Sequence, residues 1–194
     1  MSEPLRLGAI VLTGGTAARM DGADKSSIEL DGVTLLERAL AATMTAVEVV
    51  VVGEQVPTTR PVTWTLEDPA GGGPAAGLLA GLDRFLREPD LVAVLAVDMP
   101  KVNAGTFARL TWSVEEDPLY DGAVLVDPEG RTQPLCAVYR SASLRKVRPE
   151  NLEDEHGLPM RTLLAHLILA HVPSVGAEAR DIDTWEDLTE LRES

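Results

Sequence analysis

The chain has 194 residues, 45% hydrophobic and 25% charged, which is the balance of a folded domain long enough to bury a core. Its formal net charge of -14 argues against non-specific nucleic-acid binding and against docking on anionic membranes, since both need basic patches. A single cysteine, Cys136, excludes an intramolecular disulfide and any multi-cysteine zinc cluster.

The opening stretch MSEPLRLGAI lacks the basic start and long apolar run of a signal peptide, and no uncharged apolar stretch approaches the ~20 residues of a membrane span, so a cytoplasmic protein is expected. Apolar runs then predict strands at 7–12 (LGAIVL), 47–53 (VEVVVVG), 62–66 (VTWTL), 91–97 (LVAVLAV), 122–126 (GAVLV) and 134–139 (PLCAVY). Several are almost uninterrupted in apolar residues, as central strands covered on both faces must be. Helical spacing falls between them at about 34–45, 76–88, 104–116 and 159–169, while 141–160 is charged and weakly periodic and reads as loop or short helix. This alternation predicts an α/β fold of three layers, Rossmann-like, with a mostly parallel sheet, and the length suits a single domain over 1–194.

In such sheets a ligand sits beyond the carboxyl ends of the strands. Three unusual segments follow three of the predicted strands there. The first is TGGTAARMDGADK, in which Gly14 and Gly15 allow close backbone approach to phosphate, with Arg19 as a planar fork and Lys25 as a point charge. Its spacing is neither a P-loop nor GxGxxG, and a glycine loop with solvated charges is the plainer alternative for this stretch alone. The second is EDPAGGGPAAG, a glycine-rich entry to a helix whose free N–H groups favour anions; alone it also reads as a flexible connection. The third is DMP, where Asp98 ends an apolar strand and presents a carboxylate suited to Mg²⁺, which takes one or two carboxylates plus substrate phosphates; a turn or helix-capping aspartate is the alternative. Cys136 lies in a strand-like run and reads as a core residue. His156, His166 and His171 lack metal-ligand spacing and read as surface or loop residues, and Arg140, Arg145, Lys146 and Arg148 read as a contact for an anionic partner or, for the last three, as a solvated basic face.

Taken in order, LTGGTAARMDGADK, GGPAAGL, VDMP, QPLCAVYR and DIDTWEDL resemble the motifs of the MobA-like nucleotidyltransferases, in particular the molybdenum cofactor guanylyltransferases, from residue 8 to about 188. The resemblance implies an enzyme that transfers GMP from GTP to the molybdopterin form of the cofactor and releases pyrophosphate, with Mg²⁺ as cofactor. It implies that Leu12, Thr13, Gly14 and Gly15 contact the nucleotide, that Arg19 and Lys25 act on its phosphates, and that Asp98 holds the metal. Gly53 falls on a nucleotide-contacting position that is often Asn, where glycine leaves only a backbone contact. Asp68 matches an acidic nucleotide-binding position, with Glu67 competing for the same alignment. Gln133, Asp181 and Asp183 fall on the acceptor side. The chain departs from the motifs at Asp21, which stands for a glycine, at Ala75, which stands for a leucine, and at Asp181 and Asp183, which stand for two asparagines. Transient contact with cofactor-delivering proteins or molybdoenzymes belongs to the same expectation. Two other readings stay open: a related transferase using CTP or a sugar-phosphate acceptor, and a non-catalytic nucleotide-binding protein.

Overall fold

The computed structural model describes residues 5–14 and 24–193. β1 (Leu7–Leu12) is followed by a small antiparallel pair, β2 (Glu29–Leu30) and β3 (Val33–Thr34). Asp31 and Gly32 turn that pair with φ of 55° and 76°, the positive values a two-residue hairpin turn requires. α1 (Leu35–Ala42) starts where the Thr34 hydroxyl accepts from the Glu37 N–H. Then come β4 (Glu48–Val52), β5 (Thr63–Thr65), α2 (Gly73–Leu82), β6 (Leu91–Ala96) and α3 (Ala104–Glu116). The chain continues through β7 (Gly122–Val126), β8 (Thr132–Arg140), α4 (Ser141–Val147), α5 (Met160–Leu163), β9 (Leu169–Pro173) and α6 (Trp185–Glu193).

Seven strands form one sheet in the order β5-β4-β1-β6-β8-β7-β9. Only β8 runs against its neighbours, so the sheet is mostly parallel. Alternate residues of the central strands enter two separate cores, because strand side chains point to opposite faces. Ile10, Val50 and Val94 meet Leu78 and Leu82 of α2 on one face. Val11, Val51 and Ala93 meet Leu36, Phe107 and Leu188 on the other, under α1, α3 and α6. The predicted three-layer α/β architecture is the one observed.

Two elements differ from the sequence reading. The helix expected over 159–169 is a single turn at Met160–Leu163, and the apolar residues after it form β9, paired in parallel with β7. Short apolar runs satisfy either period, and here the open edge of β7 decides. The helix expected over 76–88 starts earlier, at Gly73, and stops at Leu82. The uncertain stretch 141–160 holds α4 and a 3₁₀ turn at Leu152–Glu155. Among the described residues no helix is long and apolar enough to cross a membrane.

Helix α2 lies close to the sheet because it is rich in glycine. A Cβ on Gly81 would stand 2.8 Å from Ile10 Cγ2 and 3.1 Å from Val52 Cγ2. Gly81→Val is therefore expected to destabilise the fold by about 1–3 kcal/mol through overpacking, despite valine's better helix propensity. Urea denaturation measures this, and an unchanged midpoint would contradict the close packing.

Candidate active site

Beyond the carboxyl ends of β1, β4 and β6 lies a cleft of about 680 Å³. Its floor is apolar, with Leu12, Val52 and Ala96, and its walls carry Gly14, Gly71 and Gly73. The three segments singled out in the sequence thus converge, because parallel strands deliver their carboxyl ends to one side of a sheet.

Lys25 sits in a 3₁₀ turn capped by Asp24, whose carboxylate accepts from the Ser26 N–H at 3.0 Å. Only 8% of the lysine is exposed. Its Nζ donates to Asp98 Oδ2 at 3.0 Å, to Asp183 Oδ1 at 2.9 Å and to the Ile182 carbonyl at 2.9 Å. Burial opposes the charge, but the hydrogen bond to Asp183 and the charge of Asp98 outweigh it and hold the ammonium above its ordinary range. The same backbone is tied once more, since the Ile182 N–H donates to the Asp98 carbonyl at 2.8 Å.

Asp98 lies two residues beyond the end of β6, and its side chain is one-quarter exposed at the cleft. Asp181 also lines the cleft. Partial loss of solvent raises its carboxyl above the usual range, and the negative charges of Asp183 and Asp98 add to this against the opposing effect of Lys25. Glu67, half-buried, lines the cleft and accepts from the Gly71 N–H at 3.2 Å, whereas Asp68 is exposed beside it. Thr13 lines the cleft and donates its hydroxyl to the Val52 carbonyl at 3.1 Å. Gly53 stands directly behind it, and a Cβ there would lie 1.7 Å from Thr13 Oγ1, so Thr13 fills the volume that a side chain at 53 would need. Gln133 enters from β8 on the opposite wall, its amide 3.5 Å from Asp127 Oδ2. Gly15 and Arg19 lie outside the described residues, as does Asp21.

Of the four basic residues at and after the end of β8, Arg140, Arg145 and Arg148 are held by partners away from the cleft. Arg140 donates to the Tyr120 and Val114 carbonyls, Arg145 pairs with Asp83, and Arg148 pairs with Glu155 and Asp83. All three histidines are exposed. Cys136 is fully buried, and loss of solvent pushes its thiol up to about 12, so no thiolate is available at neutral pH.

Glu178 escaped the sequence reading because nothing in SVGAEAR sets it apart. It is 4% exposed and accepts from Thr106 Oγ1 at 2.7 Å, from Arg109 Nη2 at 2.5 Å and from the Val175 N–H at 2.8 Å. These bonds fasten the segment carrying Asp181 and Asp183 to α3.

The fold is that of the nucleotidyltransferases, and it carries a glycine-walled cleft at the strand ends with a lysine and a carboxylate at its mouth. The family model described as the MobA-like NTP transferase domain matches residues 9–172, and the chain belongs to that family. A probable molybdenum cofactor guanylyltransferase of Natronomonas pharaonis is 28% identical over 199 residues, covering 95% of this chain and 96% of that protein. One of Opitutus terrae is 36% identical over 138 residues, covering 69% and 66%. The crystal structure of molybdopterin-guanine dinucleotide biosynthesis protein A from Archaeoglobus fulgidus superposes with a TM-score of 0.73 at 22% identity, covering 96% of this chain and 97% of that one.

Burial raises the Glu178 carboxyl, but its bonds to Thr106, the Val175 N–H and Arg109 outweigh this and leave it below the usual range. A depressed folded pKa stabilises the protein above the unfolded value of ~4.3, and the contribution is lost as pH falls through the folded value. Glu178→Gln should thus cost about 1.5–3 kcal/mol at neutral pH, with the difference closing below about pH 4. Thermal melts of both proteins across that range measure it, and a pH-independent difference would exclude the charge as its cause.

Proposed function

We propose that this chain transfers GMP from GTP to the terminal phosphate of the molybdopterin cofactor, forming the guanine dinucleotide and releasing pyrophosphate. The transfer is the work of one domain spanning the chain. The observation that carries the reading is the meeting of Lys25 and Asp98 at the mouth of a glycine-walled cleft, in a chain of the MobA-like family. Its relatives named as guanylyltransferases support the choice of base and acceptor.

The reaction needs no protein nucleophile, because the attacking phosphate is already anionic. An oxygen of the acceptor phosphate bonds to the α-phosphorus of GTP as the bond from that phosphorus to its bridging oxygen breaks, and the electron pair leaves with pyrophosphate. The protein therefore aligns two anions and offsets their repulsion. Gly14, Gly71 and Gly73 leave backbone free to approach the nucleotide. Lys25 exchanges its carboxylate partners for phosphate oxygens and stabilises the leaving group. Arg19, by its place in the motif, serves the same phosphates.

Among the described residues no group of three or more His, Cys, Asp or Glu forms a complete metal cage. The residues nevertheless fit Mg²⁺, since Asp98 presents an accessible carboxylate at a rigid strand end and magnesium completes its shell with phosphates and water. When bound there it would neutralise phosphate charge. Asp98 would hold the ion, and Lys25, whose ammonium stands 3.0 Å from that carboxylate, would serve the triphosphate oxygens beside it. Asp181 and Gln133, which line the cleft, serve the acceptor, and Asp183 joins them by its place in the motif.

GTP with Mg²⁺ is expected to raise the melting temperature more than CTP does, because a ligand of the folded state stabilises it. Equal shifts, or a larger one with CTP, would favour a cytidylyl transfer instead. Lys25→Ala should weaken GTP binding roughly 10- to 150-fold, the equivalent of a charged hydrogen bond worth about 1.5–3 kcal/mol. It should also lower stability, because Asp98 and Asp183 are left facing each other without their shared cation. Calorimetric titration below the variant's melting range separates the two effects, and an unchanged dissociation constant would exclude Lys25 as a phosphate ligand.

A further inference from the structure

The segment QPLCAVY lines the cleft with Gln133, Pro134 and Leu135 and ends on a tyrosine that lies outside it. Tyr139 is fully buried, in the core under α2, and its hydroxyl donates to the Pro134 carbonyl at 2.8 Å. In a regular strand this bond is impossible. Residues five apart lie on opposite faces and about 16 Å from each other at ~3.3 Å per residue.

The strand is not regular. β7 and β8 pair as Val124 with Ala137 and then as Leu125 with Gln133, so one step on β7 is matched by four on β8. Pro134, Leu135 and Cys136 are the extra residues. β6 pairs with β8 only as far as Leu95 and Cys136, so the bulge begins where β6 ends. It pushes Gln133, Pro134 and Leu135 into the cleft, where Val97 and Asp98 also stand. A bulge re-aims side chains but breaks the ladder, and the carbonyls it frees need other donors. Tyr139 supplies one. Room for its ring is made by Gly122, where a Cβ would lie 2.7 Å from Tyr139 Cδ1.

We propose that Tyr139 is a positioning residue for the acceptor: its hydroxyl pins the Pro134 carbonyl and so sets the bulge that forms the acceptor wall of the cleft. The inference rests on the nucleotidyl-transfer reading. In-line displacement puts the attacking phosphate opposite the departing pyrophosphate. With the triphosphate on Lys25 and the glycine wall, the acceptor takes the β8 side. The chemistry that this wall suits is a phosphorylated ring system, met by the Gln133 amide and the apolar edge of Pro134 and Leu135.

Tyr139→Phe tests this, since it removes one oxygen and keeps the ring. The apparent KM for molybdopterin should rise roughly 2- to 12-fold, the equivalent of one hydrogen bond of about 0.5–1.5 kcal/mol, while the GTP dissociation constant stays within about twofold. Amide hydrogen exchange should quicken at residues 132–136 and stay unchanged in the parallel strands. An unchanged acceptor KM, an equal loss for GTP, or faster exchange spread evenly over the sheet would each overturn the positioning role. If the wild-type chain forms no guanine dinucleotide from GTP and molybdopterin, the functional reading itself has failed, and exchange at 132–136 still decides whether Tyr139 sets the bulge.

Discussion

The buried ammonium of Lys25 joins three parts of the chain that are far apart in sequence. It is bonded to a carboxylate after β6, to a carbonyl and a carboxylate before α6, and it belongs to the loop after β1. An ammonium with so little exposure is tolerable only when its protons are shared among acceptors, and here all three are. The arrangement holds the mouth of the cleft together without a ligand. It also keeps the proposed phosphate-binding cation and the proposed metal-binding carboxylate within 3.0 Å of each other.

The surroundings serve this junction. Ile182 is fully buried in the main core and bonded through its N–H to the Asp98 carbonyl, so the C-terminal segment cannot drift from β6. Glu178 fastens the same segment to α3, and Asp187 caps α6 by accepting from the N–H groups of Asp183 and Thr184. On the other side of the cleft the glycines of α2 bring the helix close to β1 and β4. The β8 bulge then closes the far wall. A phosphate-transfer site needs this kind of support, because alignment of two repelling anions is lost with small displacements.

The replacement of two asparagines by Asp181 and Asp183 takes on a definite meaning in this setting. Asp183 is not spare negative charge on the rim, for it shares the Lys25 ammonium with Asp98. Asp181 does carry a cost, seen in its raised carboxyl, and faces the cleft where an anionic acceptor would enter. The two aspartates thus differ, although the motif treats them alike.

Much of the architecture was legible in the chain itself. Continuous apolar runs such as LVAVLAV suit strands covered on both faces, and their short length and alternation with helical spacing led to a three-layer α/β sheet. Gly14, Lys25 and Asp98 were legible for a related reason: each comes after a strand, and parallel strands release their outgoing loops at one edge of the sheet. The rest depended on contacts between distant segments. β9 reads as helix until the open edge of β7 is present to pair with it. Glu67 and Asp68 are adjacent and chemically alike, so only the path of the loop puts one in the cleft and the other in solvent. Lys25 read as a loop charge because its partners lie 73 and 158 residues away. Tyr139 belongs to an apolar, strand-like run, and it is core, but the bond from its hydroxyl to Pro134 exists only because pairing with β7 forces three extra residues out of β8. Local periodicity and the succession of elements along the chain are properties of neighbouring residues, which a sequence records directly; the sharing of a buried charge and the register of a bulge arise only when the sheet has closed around them.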